Sequence, residues 1–129
     1  SIAAIVGLTG AFSYAASKSA VLGMTRQMAT DYGPKGIRVN AIAPGSIVTE
    51  GTGRLWGKSD KAADTYDASS NKSSVYSGNT ATMMAMIPQG RPGVGDDIAQ
   101  GVLFLAGSNY TNGHCLVIDG AWSICIRPF

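Results

Sequence analysis

The segment G-I-R-V-N-A-I-A-P-G-S-I-V-T-E, residues 36–50, constrains the fold more than any other part of the chain. Residues 37–43 read as a buried strand closed abruptly by Pro44-Gly45, because proline cannot donate to a strand ladder and glycine accepts tight turns. A buried strand needs a layer packed on each face, and helical patterns at 14–32 and 96–107 lie on either side of it in sequence. That arrangement is an α/β fold built on a parallel sheet. In open sheets of this kind ligands sit outside the carboxyl ends of the strands, which makes the Pro44-Gly45 turn a candidate for chemistry. Taken alone, it is equally an ordinary end to a strand.

The first helical pattern, 14–32, has Ser13 placed to cap it and Gly33-Pro34 as its stop. It opens with Y-A-A-S-K, and four residues make just over one helical turn, so Tyr14 and Lys18 share a face. A positive charge beside a phenol favours the phenolate. Such a phenol can give a proton to a carbonyl oxygen or take one from an alcohol. The same pair, read without context, is what a solvated helix surface carries. Small residues Ala15, Ala16, Ser17, Ala20 and Gly23 permit close approach of another helix, with Met24 and Met28 filling the contact, within one subunit or between two. The helix at 96–107 puts Ile98, Val102, Leu105 and Ala106 on one stripe, expected to be buried. Asp96 and Asp97 at its start are placed to satisfy free backbone N–H groups. A second strand follows at 115–118.

Taken in order, Ser1, Y-A-A-S-K, the 36–50 segment, G-R-P-G-V-G-D-D-I-A at 90–99, V-L-F-L-A at 102–106 and Y-T-N-G-H-C-L-V-I-D-G-A at 110–121 resemble the C-terminal half of a classical short-chain dehydrogenase/reductase. The resemblance implies the C-terminal part of a Rossmann-like doubly wound parallel sheet, lacking the N-terminal dinucleotide-binding βαβ units. It implies Tyr14 as acid/base, Lys18 as the charge that lowers its pKa and binds the nicotinamide ribose, and Ser1 as hydrogen-bond donor to the substrate oxygen. It also implies that Pro44, Gly45, Ile47 and Thr49 lie against the nicotinamide of NAD or NADP, with Tyr14 and Lys18 completing that site. On this basis residues 1–49 form a catalytic segment, 50–88 a substrate loop or lid, and 89–129 a helix and strand with assembly surfaces, to which Trp122 and Phe129 contribute. The implied function is the catalytic half of an oxidoreductase that interconverts a secondary alcohol and a ketone by hydride transfer. Its N-terminal half would come from another chain or from sequence preceding Ser1. The other class of reading is a non-catalytic structural subunit of a homo- or hetero-oligomer.

The family holds the cofactor pyrophosphate on a Gly-rich turn between its first strand and first helix, and the resemblance begins after that point. G-V-G-D-D-I at 93–98 does not replace it: the segment follows a Pro-Gly loop, lacks the third glycine, and presents two carboxylates to a phosphate. The family's catalytic Asn and the residues that choose between NAD and NADP also fall before Ser1. A fragment, a cleavage product or one subunit of a split enzyme is therefore expected.

Composition agrees with an incomplete unit. Apolar residues make up 45% of the 129, charged residues 14%, and mean hydropathy is +0.11, which is high for a chain covering its own small core. Buried partners are expected. The net charge of +2 is spread without runs, which gives no support for nucleic-acid or membrane-surface binding. No apolar run reaches the roughly 20 residues of a membrane span, and no signal peptide is expected. Cys115 and Cys125 are expected as free buried thiols in a reducing, cytoplasmic compartment. His114 is the only histidine, and no metal site is expected. Between 50 and 88 the chain is polar, with short helices expected at 59–68 and 79–86. Leu55, Trp56, Tyr76, Met83, Met84 and Met86 there suit either a pocket wall or the underside of a lid.

Overall fold

The computed structural model describes residues 1–49, 52 and 85–125. The expected helix at 59–68 and most of the 50–88 lid, including Leu55, Trp56, Tyr76, Met83 and Met84, lie outside the described residues, as does Phe129. Of the 79–86 helix, residues 85 and 86 are helical, and Met86 is exposed.

Helix α1, Phe12–Tyr32, begins two residues earlier than its periodicity predicts. Ala11 occupies the cap position without a side-chain hydrogen bond, so Ser13 lies inside the helix instead of capping it. At the other end Gly33–Lys35 tightens into one 3-10 turn and Gly36 takes the left-handed conformation at φ 76°, which a side chain would resist. The face that α1 buries carries Leu22, Thr25 and Ala29. Extended backwards at helical spacing, the same stripe runs through half-buried Lys18 to Tyr14.

Two strands pair in parallel, β1 at Ala41–Pro44 and β2 at Cys115–Ile118, with Ala41 opposite Cys115 and Pro44 opposite Ile118. β2 has the expected bounds, whereas β1 is shorter than 37–43 because polar side chains take over the pairing of its first residues. Asn112 Oδ1 accepts the Val39 N–H at 2.8 Å, Asn40 Nδ2 donates to the Thr111 carbonyl at 2.9 Å, and the His114 N–H donates to Asn40 Oδ1 at 3.0 Å.

Helix α2, Gly95–Gly107, is capped by Val94 and not by an aspartate. Asp97, in the third helical position, reaches back and accepts the Val94 N–H at 2.8 Å, so the expected capping carboxylate acts from inside the helix. At the far end Arg38 donates to the carbonyls of Leu105 at 2.6 Å and Ala106 at 2.8 Å, groups that a helix end leaves without partners. The buried positions of α2 are Gly101 and Leu105. Of the expected stripe only Leu105 is buried: Ile98 is half-buried, Ala106 is exposed, and Val102 is 51% exposed. The reason is Gly101, whose missing side chain lets the helix come down on Ile118 and Leu116 of β2. That close approach rotates Val102, Leu103 and Phe104 outward.

The core is small: Ile2, Ala3, Leu22, Ala29, Ala43, Ile87 and Leu105, with Thr25. Phe12 at 89% and Leu103 at 71% remain exposed, in keeping with an apolar surplus that this chain does not cover. Cys115 is half-buried and Cys125 exposed, so neither thiol is buried as expected, though both are free. Trp122 lies in a 3-10 turn, Trp122–Ile124, after β2. No helix among the described residues is long and apolar enough to cross a membrane.

Candidate active site

Asn112 fixes the direction of α1 relative to the sheet. Its Nδ2 donates to the Ala29 carbonyl at 3.2 Å, while Gly113 lies against the Ala29 methyl just before β2 begins. The C-terminal end of α1 thus sits at the entry to the strands. Fifteen helical residues separate Ala29 from Tyr14, about 22 Å at 1.5 Å per residue, whereas a four-residue strand spans about 13 Å. Tyr14 and Lys18 therefore lie toward the carboxyl ends of β1 and β2, on the stripe whose deeper members form the core.

The two side chains are in contact. Lys18 Nζ stands 5.3 Å from the centroid of the Tyr14 ring, and Tyr14 is 48% exposed. Ser1 caps a 3-10 turn, Ile2–Ala4, with its Oγ accepting the Ala3 N–H at 3.1 Å. An acceptor role leaves the hydroxyl proton free to be donated elsewhere. The Ser1 backbone nitrogen and the Lys18 ammonium are near enough to sense each other. Ser19, the residue after Lys18, donates to the Ala4 carbonyl at 3.2 Å and joins the two segments.

Pro44 ends β1, and the Gly45 N–H donates to the Ile118 carbonyl at 2.9 Å. A methyl at Gly45 would fall 2.7 Å from Asp119 Cβ, so only glycine allows this approach. Asp119 in turn accepts the N–H groups of Ala121 at 2.9 Å and Ser123 at 2.6 Å, which holds the turn after β2. Beyond Gly45, the chain pairs once more in parallel, Ile47 opposite Gly93. That bridge uses the Ser46 carbonyl and the Val48 N–H, each at 2.9 Å. Ile47 consequently turns its own N–H and C=O the other way: the carbonyl accepts Thr52 Oγ1 at 2.6 Å, and the N–H has no partner among the described residues. Thr49 is exposed, its N–H donating to Thr52 Oγ1 at 2.8 Å and its hydroxyl 3.0 Å from the same oxygen.

A small cleft opens between Ser46-Ile47, Gln89, Gly93 and Asp119-Gly120, with Arg91 and Asp97 at its wall. It does not include Tyr14 or Lys18. Arg91 and Asp97 are spent on each other, Asp97 taking two hydrogen bonds from Arg91 at 2.7 and 2.8 Å. This bidentate contact, with the Val94 N–H second, holds the Asp97 carboxyl well below the usual carboxylate range. The cleft is a structural joint beside the candidate site.

The structure thus places Lys18 over the Tyr14 ring and within electrostatic reach of Ser1, and it puts Pro44 at the end of β1 with Gly45, Ile47 and Thr49 on the connection that follows. Sequence reasoning missed Thr52, for which T-x-x-T at 49–52 was the available signal. It missed Ser19 as well, which carries no signal in a helix full of short polar side chains.

The chain matches the family model described as Enoyl-(Acyl carrier protein) reductase over residues 1–86. It belongs to the short-chain dehydrogenase/reductase family. It is 34% identical over 122 residues to 2-(S)-hydroxypropyl-CoM dehydrogenase 3 of Xanthobacter autotrophicus, a match covering 93% of this chain and 42% of that protein. Among solved structures, 4-hydroxyisoleucine dehydrogenase complexed with NADH superposes with a TM-score of 0.75 at 29% identity, over 98% of this chain and 45% of the other. ElxO with NADP bound does so with a TM-score of 0.69 at 30% identity, over 95% and 43%. The α/β architecture is therefore part of this family's doubly wound Rossmann fold. The chain spans less than half the length of the relatives it matches.

Proposed function

We propose that this chain is the catalytic half of an NAD(P)-dependent oxidoreductase that interconverts a secondary alcohol and a ketone by hydride transfer, completed by an N-terminal dinucleotide-binding half. The observation that carries this reading is the Tyr14/Lys18 pair, 5.3 Å from ammonium to ring centroid, beyond the carboxyl end of β1. The residues present fit the nicotinamide end of the cofactor. Among the described residues the Ile47 backbone N–H, suited to a carboxamide oxygen, has no partner, and Lys18 has no carboxylate partner. The cofactor, when bound, supplies or accepts the hydride.

Tyr14 gives its proton to the ketone oxygen in reduction and takes it back in oxidation. Lys18, standing over the Tyr14 ring, would meet the ribose. Ser1 donates to the same substrate oxygen, where negative charge develops. Pro44 and Gly45 shape the wall on which the nicotinamide would rest, with Ile47 and Thr49 directed at its amide. Residues 1–49 hold this machinery, 50–88 would cover the substrate, and 89–125 with the tail would serve assembly. The free thiols Cys115 and Cys125 suit a cytoplasmic setting.

A second reading, a non-catalytic assembly subunit, draws support from the outward apolar face of α2, Leu103 and Phe104 being 71% and 58% exposed. One experiment separates the two. The polypeptide or co-purified assembly that contains this chain is assayed for ketone-dependent NAD(P)H oxidation, with Tyr14→Phe as control. Activity lost in the variant supports catalysis; an assembly that forms without activity or nucleotide binding supports the scaffold.

A further inference from the structure

Four hydroxyl side chains of α1 make hydrogen bonds, and three turn back onto their own helix. Ser17 Oγ donates to the Tyr14 carbonyl at 2.7 Å, Thr25 Oγ1 to Val21 at 2.8 Å, and Thr30 Oγ1 to Arg26 at 3.0 Å. Such back-bonding is the ordinary habit of short hydroxyl residues within helices. Ser19 departs from it, reaching the Ala4 carbonyl at 3.2 Å, 15 residues away in sequence.

Ala4 closes the 3-10 turn that Ser1 caps, and Ser19 directly follows Lys18. Among the described residues a single directional bond thus fastens the turn that presents Ser1 to the helical turn that presents Tyr14 and Lys18. The covalent connection between them cannot set this spacing by itself, since it passes through Gly7 and through Gly10 at φ 73°. Burial of Ile2 and Ala3 holds the turn near the helix, but apolar burial is non-directional and leaves the turn free to slide.

We propose that Ser19 is a positioning residue that sets the separation between the Ser1 hydroxyl and the Tyr14 phenol, so that both meet one substrate oxygen. The proposal rests on the catalytic reading above. Its physical content is a small displacement: a 1 Å misplacement of reacting groups costs on the order of a hundredfold in rate. Because Ser19 is exposed, its truncation leaves the Ala4 carbonyl to water instead of orphaning it.

The test uses the complete assembly with a ketone substrate and NAD(P)H. Ser19→Ala is expected to lower kcat about tenfold with both KM values unchanged, since neither binding surface includes Ser19. Ser19→Thr, which restores a hydroxyl at an exposed site, is expected to recover the wild-type kcat. A Ser19→Ala enzyme with wild-type kcat, or a loss that Ser19→Thr leaves unrepaired, overturns the proposal. An inactive wild-type assembly rejects the catalytic reading and this proposal with it, whereas an active enzyme indifferent to Ser19 rejects the positioning role alone.

Discussion

Two corners of the molecule each bring a cation to the carboxyl side of the strands, and they use it in opposite ways. At one, Arg91 is locked onto Asp97 by two hydrogen bonds, the carboxylate also holding the first turn of α2. At the other, Lys18 stands over the Tyr14 ring without a carboxylate partner among the described residues. A charge neutralised by its neighbour stiffens a joint, and a charge left unneutralised remains available to a substrate or cofactor. The difference is what separates the structural cleft from the candidate site, although both contain the residue types expected of chemistry.

Replacing the phenol is the severest test of that contrast. Tyr14→Phe is expected to lower kcat by about 10³-fold, within the range for loss of a general acid/base, as read from steady-state ketone reduction by the complete assembly. Retention of wild-type kcat would remove the distinction between the corners. Lys18→Met comes next, with kcat down about 10²-fold by the same assay while the unfolding midpoint holds, because Lys18 makes no ion pair among the described residues.

On the structural side, Gly45→Ala drives a methyl to 2.7 Å from Asp119 Cβ and 2.8 Å from its Cα. Such overpacking against backbone costs about 1–3 kcal/mol, measurable as a lower urea midpoint. The smallest effect belongs to Asp97→Asn. The Asp97 pKa is lowered in the fold, so its contribution to stability is whole above the ordinary value of 3.8 and is lost as pH falls below it. Acid titration of the wild type should show this limb, and the Asn variant should lack it. An unchanged acid limb would mean that the Arg91 contact is not what holds the joint.

Much of this was legible in the chain itself. The facing of Tyr14 and Lys18 follows from helical geometry over four residues, and the strand at 115–118 from a short apolar run ended by Asp119-Gly120, because both are local consequences of period and turn chemistry. Where local rules failed, a distant partner had won. Asn112, Asn40 and Arg38 took over the pairing of the first residues of the expected strand, across more than 65 positions of sequence. Gly101 turned α2 by letting it settle on Ile118, which no count of apolar residues along that helix reveals. Ser13 gave up the cap when α1 began at Phe12.

By itself, then, the sequence determined the family, the α/β class and the shared helix face of Tyr14 and Lys18, since each depends on residue types at short fixed spacings. Only the tertiary structure decided which cation has no carboxylate partner among the described residues, which face α2 buries, that the Ile47 N–H has no partner among those residues, and that Ser19 ties the turn capped by Ser1 to the helix after Lys18. Those depend on which groups meet after the chain has closed, when hydrogen bonds and close packing assign partners that spacing along the chain does not encode.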